Sequence, residues 1–264
     1  DYIMPIFKQV PWGYMVPYAI SAQNDLHRTY AEYLMGKWKL KTSDINAILA
    51  QVSHDEAELF NQEYIEELYR QYLDVPVSEE AVTALGQRLS GKQVMILAPG
   101  QSVKEHLSEV QQYAARDDVV CIAVNFVPDF LQADMVFFST IKRYETEGLR
   151  VDRDKTQVIV SSNLLRHVTE ADYTISYSMI AHHDGVYSED SVLMLLALMK
   201  HLRIREVAIS GFDGYHKDKS NYVSDSLERH SDGREKIAQE VSRILGDSYS
   251  GLEIEYITPS GYKR

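Results

Sequence analysis

Cysteine is all but absent: the 264-residue chain has one, Cys121, inside an apolar run. A disulfide framework is therefore excluded, and a reducing, cytoplasmic setting is the natural reading. Cys121 itself reads as a small buried hydrophobe. Long hydrophobic runs are missing too. The longest, Val192 to Met199, falls far short of the ~20 residues that a membrane span needs. The opening "DYIMPIFKQVPWGY" has neither the basic n-region nor the apolar h-region of a signal peptide. Positive charge is in deficit, with 27 Lys and Arg against 39 Asp and Glu and a net charge of −12. No nucleic-acid partner is expected from that balance. The deficit is evenly spread: residues 1–88 carry 7 basic and 13 acidic groups, residues 89–264 carry 20 and 26. The initiator Met is absent as well, and the chain begins inside what reads as structured sequence, so a fragment of a longer protein is expected.

Two kinds of text are present, joined near Pro76–Lys92. The first is helical and rich in Tyr, and holds both tryptophans, Trp12 and Trp38. In "TSDINAILAQV", Thr42 or Ser43 is expected as N-cap, with Ile45, Ile48, Leu49 and Val52 on one stripe. In "NQEYIEELYRQYL", Tyr64, Leu68 and Tyr72 recur every fourth residue beside Ile65 and Tyr69, opposite Glu63, Glu66, Glu67 and Arg70. The second text alternates. Strands are expected at 93–98, 119–126, 135–139, 156–162, 173–179, 206–212 and 253–257, with helices at 102–116, 189–203 and 233–246. The first strands are almost wholly apolar, as in a parallel sheet covered on both faces. The expected fold is thus α/β, Rossmann-like, with a mostly parallel sheet (89–264) after a helical extension (1–88).

Ligands of open α/β sheets bind at the carboxyl ends of the strands, so the loops there carry the functional reading. "LAPGQSVKE" ends the first strand at Gly100, whose lack of a Cβ permits positive φ and close backbone approach. Ser102 and Glu105 have capping-box spacing, and the helix start would offer N–H groups to phosphate. A plain turn is the competing reading, because one Gly is much weaker than G-x-G-x-x-G. Asn125 ends the second strand and can read a base or sugar edge, or simply break the strand. In "AISGFDGYH", Gly211 and Asp213 meet the crevice, where Asp213 can bind a hydroxyl or accept a proton; a D-G turn is the bland alternative. His182, His183 and Asp184 are adjacent, and neighbouring histidines point apart, so no metal site is expected there. His230 stands just before a helix capped by Ser231 or Asp232 and could be a general base, although an exposed loop His is the simpler reading.

In combination these motifs resemble a Rossmann-like superfamily that includes bacterial sialyltransferases and pterin-diphosphokinase-like domains. There the first strand ends in G-x-G-P-S, the second in Asn, a T-S-G-opened crossover helix leads to a strand ending G-I-D, and a His-Ser pair follows. The resemblance covers roughly residues 92–245. It implies that Gly100, Gln101 and Ser102 hold nucleotide phosphates and that Asn125 touches the donor. Ser188 to Ser191 would open the crossover helix, with Gly211 and Asp213 at the crevice and His230 as catalytic base. Here Ala98 and Gln101 stand at the loop's first Gly and its Pro, and the helix opening reads Ser-Glu-Asp-Ser.

The first 75 residues, "WGYMVPYAISAQNDLHRTYAEYLMGKWKL" with "YIEELYRQYL", resemble the helical tail that follows the barrel in aldolases of the 4-hydroxy-2-oxovalerate aldolase and HMG-CoA lyase superfamily. A C-terminal "LAPG…VN…GFDGY" text occurs in one subgroup of them. The resemblance implies a divalent metal held by an Asp and an H-x-H pair, all on a (β/α)₈ barrel of ~250 residues. No H-x-H occurs in this chain, so neither lyase activity nor a resident cofactor is expected of it alone. Three functions follow: a nucleotide- or nucleotide-sugar-binding module serving the rest of an aldolase-like protein, a glycosyl- or diphosphate-transferase using His230, or a structural domain whose tyrosines pack on the barrel or in a homodimer.

Overall fold

The computed structural model describes residues 25–38, 40–52, 60–168, 170–183, 186–187, 189–214, 221–224, 227 and 234–262. They divide into two compact units, the first ending at Leu73 and the second beginning at Asp74.

Helices α1 (Asp25–Trp38), α2 (Thr42–Leu49) and α3 (Gln62–Leu73) make up the first unit. Their apolar stripes meet: Tyr30, Leu34, Ile45, Ile48 and Ile65 are fully buried, each such side chain contributing about 1.5–3 kcal/mol. The α2 stripe falls as its spacing predicts, but its cap does not. Thr42 is already helical, Lys41 is the N-cap, and no side chain caps the turn. Asp44, buried in the first turn, accepts the Tyr72 hydroxyl at 2.7 Å. Trp38 lies against Tyr69 with ring centroids 4.2 Å apart.

The second unit starts with α4 (Glu80–Leu89). A seven-stranded sheet follows: β1 (Gln93–Leu97), β2 (Val119–Val124), β3 (Met135–Phe138), β4 (Gln157–Ser161), β5 (Tyr173–Ile175), β8 (Glu206–Ser210) and β9 (Glu253–Tyr256). All its pairs are parallel, in the order β5-β4-β3-β2-β1-β8-β9. This is the Rossmann-like α/β architecture read from the apolar strands. Ile96 lies between Ile122 and Ile209 in register, so β1 has a neighbour on each side. On one face Met95, Leu97, Cys121, Ala123, Val136 and Phe138 form a core with Val103 and Val110, which come from α5 (Ser102–Glu105) and α6 (Leu107–Ala114).

The remaining elements are α7 (Ile141–Glu147), α8 (Tyr177–Ala181), the antiparallel pair β6 (His182–His183) and β7 (Val186–Tyr187), α9 (Ser191–His201) and α10 (Arg234–Ser248). The strand expected over 173–179 stops at Ile175, because Ser176 Oγ accepts from Met179 N at 3.4 Å and starts the α8 turn. The helix expected over 102–116 is broken at His106 (φ −120°, ψ 35°). Every residue from Val192 to Met199 is buried, which is why α9 shows no apolar stripe. Among the described residues no helix is long and apolar enough to cross a membrane.

Candidate functional site

The strand order reverses between β1 and β8, since β1 to β5 run outward on one side and β8 and β9 on the other. The crevice of such a fold lies at the carboxyl end of that junction. Two polar clusters stand at this edge.

The first joins the β1 and β8 loops. Ala98 N–H donates to Ser210 O at 2.8 Å and Gly100 N–H to Gly211 O at 2.9 Å, continuing the ladder past both strands. Gly211 has φ 72°, and a Cβ there would lie 2.0 Å from Ala98 O. Gly100 is not left-handed. It is glycine because a Cβ would sit 2.2 Å from Gly211 O and 2.6 Å from Asp213 Cγ. The close approach expected of this residue is thus made by the protein's own backbone.

The Asp213 carboxylate reaches across to α5. Ser102 N–H donates to Asp213 Oδ2 at 2.7 Å and the Ser102 hydroxyl donates to Asp213 Oδ1. Ser102 Oγ is also hydrogen-bonded to Thr258 Oγ1 at 2.8 Å, and Thr258 Oγ1 accepts from Gly211 N at 2.9 Å. The capping box read from Ser102 and Glu105 does not form, because Ser102 is inside the helix and Gln101 is its N-cap, without a side-chain bond. A carboxylate 111 residues away satisfies the helix start instead. Gly214 (φ 88°) then turns the chain. Gly261 N–H donates to Asp213 O at 2.9 Å, and the Phe212 and Tyr262 rings lie 4.6 Å apart. Burial, and then the negative charge of Asp190, push the Tyr262 phenol well above its usual range.

The second cluster joins β2, β3 and α9. Asn125 has φ 58°, a left-handed conformation that Asn tolerates better than most residues. Its Nδ2 donates to Ser191 Oγ at 2.6 Å and Ser139 Oγ at 3.2 Å, while its Oδ1 accepts from Ser139 N at 3.0 Å. Ser139 and Ser191 hydroxyls are 2.6 Å apart. Asp190 caps α9, accepting from Val192 N and Leu193 N at 3.0 and 3.1 Å.

The expected site residues therefore fall into two groups, Gly100, Ser102, Gly211 and Asp213 in one and Asn125 and Ser191 in the other. Gln101 is half-buried at the α5 start. His230 and Ser188 lie outside the described residues. Sequence reading missed Thr258 and Ser139, which carry no local signal; Asp190 falls within the Ser188–Ser191 stretch expected to open the crossover helix and is its N-cap. Sequence reading also missed Arg143, a buried residue of α7 whose Nη2 donates to Leu227 O. Two buried hydroxyls at the same edge, Ser210 Oγ and Thr140 Oγ1, have no partner among the described residues. Among the described residues no three His, Cys, Asp or Glu side chains converge as a metal centre requires.

A recess of about 400 Å³ is lined by Tyr113, Arg116, Glu255 and Tyr256, not by the β1 loop. Its polar groups satisfy one another: Tyr113 OH donates to Glu255 Oε2 at 2.8 Å, and Arg116 pairs with Asp118 at 2.8 Å while lying over the Tyr113 ring. The carboxyl-edge clusters remain the candidate site, because that is the edge at which α/β sheets take their ligands. Compared with protein-family models, with curated proteins and with solved structures, the chain matches none.

Proposed function

We propose that the sheet unit is a binding module for a nucleotide or nucleotide-sugar, serving the rest of an aldolase-like protein whose barrel is not in this chain. The observation that carries the reading is Asn125. Strands β2 and β3 end, and helix α9 begins, at one polar cluster, with a left-handed residue held at its centre by Ser139 and Ser191. Such local arrangements cost free energy and concentrate at binding sites. The two amide N–H groups of Asn125 are used on Ser191 and Ser139, which leaves the second lone pair of Asn125 Oδ1 and the remaining capacity of the two hydroxyls to meet a base edge or ribose hydroxyls, at the edge where α/β sheets bind ligands.

A structural role is the second reading, and the closure of the β1 and β8 loops favours it. Gly100 and Ser102, the residues expected to face a phosphate, are bonded to Gly211 and Asp213 instead.

The deciding experiment is a thermal-shift screen of the full chain against CMP, UDP, GDP, ADP and their sugar conjugates, beside Asn125→Gly. Glycine keeps φ 58° without strain and removes only the amide. One ligand should raise the melting temperature as RT ln(1 + [L]/Kd), and Asn125→Gly should lose most of that shift. No shift at millimolar ligand would leave the structural reading in place.

A further inference from the structure

We propose that the outer edge of β9 is a docking site for an extended peptide segment with basic residues at alternate positions, which adds to the seven-stranded sheet as a further strand. This surface is separate from the carboxyl-edge clusters, and its partner does not depend on whether they bind a nucleotide.

β9 is the last strand of the sheet, and among the described residues no strand pairs with its outer side. Glu253 N–H donates to Arg205 O at 2.8 Å and Ile257 N–H to Ile209 O at 2.9 Å. A parallel strand turns the backbone groups of successive residues to alternate sides, so the N–H and C=O of Ile254 and Tyr256 point away from β8. The opposite edge strand, β5, has α4 packed against it. A bare edge is a ready template for another chain unless proline, a bulge, charge or a covering element blunts it. β9 contains no proline, and its register with β8 runs unbroken. Its guard is charge, and charge selects the partner.

The strand reads Glu-Ile-Glu-Tyr, exposed and half-buried in turn. Glu255 stands level with Ala208 on the α6 side of the sheet, where its Oε2 accepts the Tyr113 hydroxyl at 2.8 Å. Glu253 shares that face. Glu109 of α6 lines the adjoining recess with Glu255, and the Arg116 there is paired with Asp118. The wall beside an added strand is therefore net negative. A second copy of the chain is a poor occupant. Two β9 strands paired antiparallel about Ile254 or Glu255 would set glutamate opposite glutamate on this face, which is destabilising. Lysine or arginine in the same place turns the contact favourable. Glu255 keeps its charge and a second carboxylate oxygen for such a residue, and the recess of about 400 Å³ beside it has room for the long side chain. In strand addition the backbone bonds supply affinity and the alternate side chains supply specificity.

The test is fluorescence anisotropy of the full chain with a labelled Thr-Lys-Val-Lys-Val-Thr peptide and its Glu-for-Lys counterpart. The basic peptide should bind at least about tenfold tighter than the acidic one. Two further versions of the basic peptide carry N-methyl groups on alternate amides, one on its lysines and one on its valines. Their charge is the same, but a strand edge uses only one set of amides. One version should therefore bind at least about tenfold more weakly than the other. Glu253→Lys combined with Glu255→Lys should reverse the preference between basic and acidic peptides. If that protein fails to fold, Glu253→Gln with Glu255→Gln must abolish the preference. Sedimentation of the native chain is compared with Ile254→Pro, which removes an outward N–H and no bond to β8. A dimer that Ile254→Pro converts to monomer places a second copy on the edge and overturns the proposal. So do equal binding of the two N-methylated peptides, a charge preference that survives the glutamate replacements, and no binding of the basic peptide at millimolar concentration.

Discussion

Replacing Gly100 by Ala separates a ligand-facing glycine from one required by the fold. A ligand-facing glycine would tolerate a methyl group in the absence of ligand. The structure instead puts the new Cβ 2.2 Å from Gly211 O and 2.6 Å from Asp213 Cγ, far inside the contact distance of about 3.5 Å. Neither atom is the free end of a flexible chain, because the carbonyl accepts Gly100 N–H and the carboxylate accepts Ser102 N–H. Overpacking of this kind costs about 1–3 kcal/mol. Loss of the Gly100–Gly211 hydrogen bond adds about 1 kcal/mol, for a total near 2–4 kcal/mol. For a unit of this size the melting temperature should fall by about 5–15 °C. Urea unfolding followed by far-ultraviolet circular dichroism measures the change. Gly251→Ala is the control, since a Cβ there meets nothing within 4 Å and should leave stability unchanged or slightly raised. A Gly100→Ala protein within about 0.5 kcal/mol of the native one, the usual scatter of harmless surface changes, would refute the reasoning.

Further outcomes follow from the same structure. Asn125→Gly leaves Ser139 N–H without its acceptor and should lower stability by about 1–2 kcal/mol, read in the same urea experiment without ligand. Lys37 and then Tyr33 hold the Glu66 carboxyl down to about 2. A depressed carboxyl stabilises above its unfolded value and stops doing so as pH falls through its folded one. The first unit should therefore weaken between pH 4.5 and 2, and Glu66→Gln should flatten that limb. The neutral-pH loss should be about 1 kcal/mol, because Lys37 is 41% exposed and Glu66 15%. Burial, and then Glu255, raise the Tyr113 phenol to about 12. Its contribution is complete below pH 10 and vanishes as pH climbs to 12, so Tyr113→Phe should lose part of the alkaline unfolding limb. Burial pushes the Cys121 thiol to about 12, so alkylation at pH 8 should proceed only at the rate of unfolding, and rapid labelling of native protein would contradict the strand assignment.

The sequence by itself determined the fold class. Unbroken apolar runs such as Val94–Leu97 and Val119–Val124 are legible because a doubly covered parallel strand leaves no polar position. The α2 and α3 stripes are legible for the matching reason, a period of 3.6. Those are local properties, written in neighbouring residues. Only the tertiary structure decided what the loops do. Ser102 was legible as a helix-starting residue, yet its partners are Asp213 and Thr258, the latter 156 positions away. Gly100 was legible as special, but the atoms that forbid a Cβ come from the β8 loop. Asn125 was legible as a strand end, while Ser139 and Ser191, which fix its amide, arrive from β3 and α9. A hydrogen bond between loops depends on strand order, and strand order is set by how the whole sheet is wound, which no local pattern of residues records.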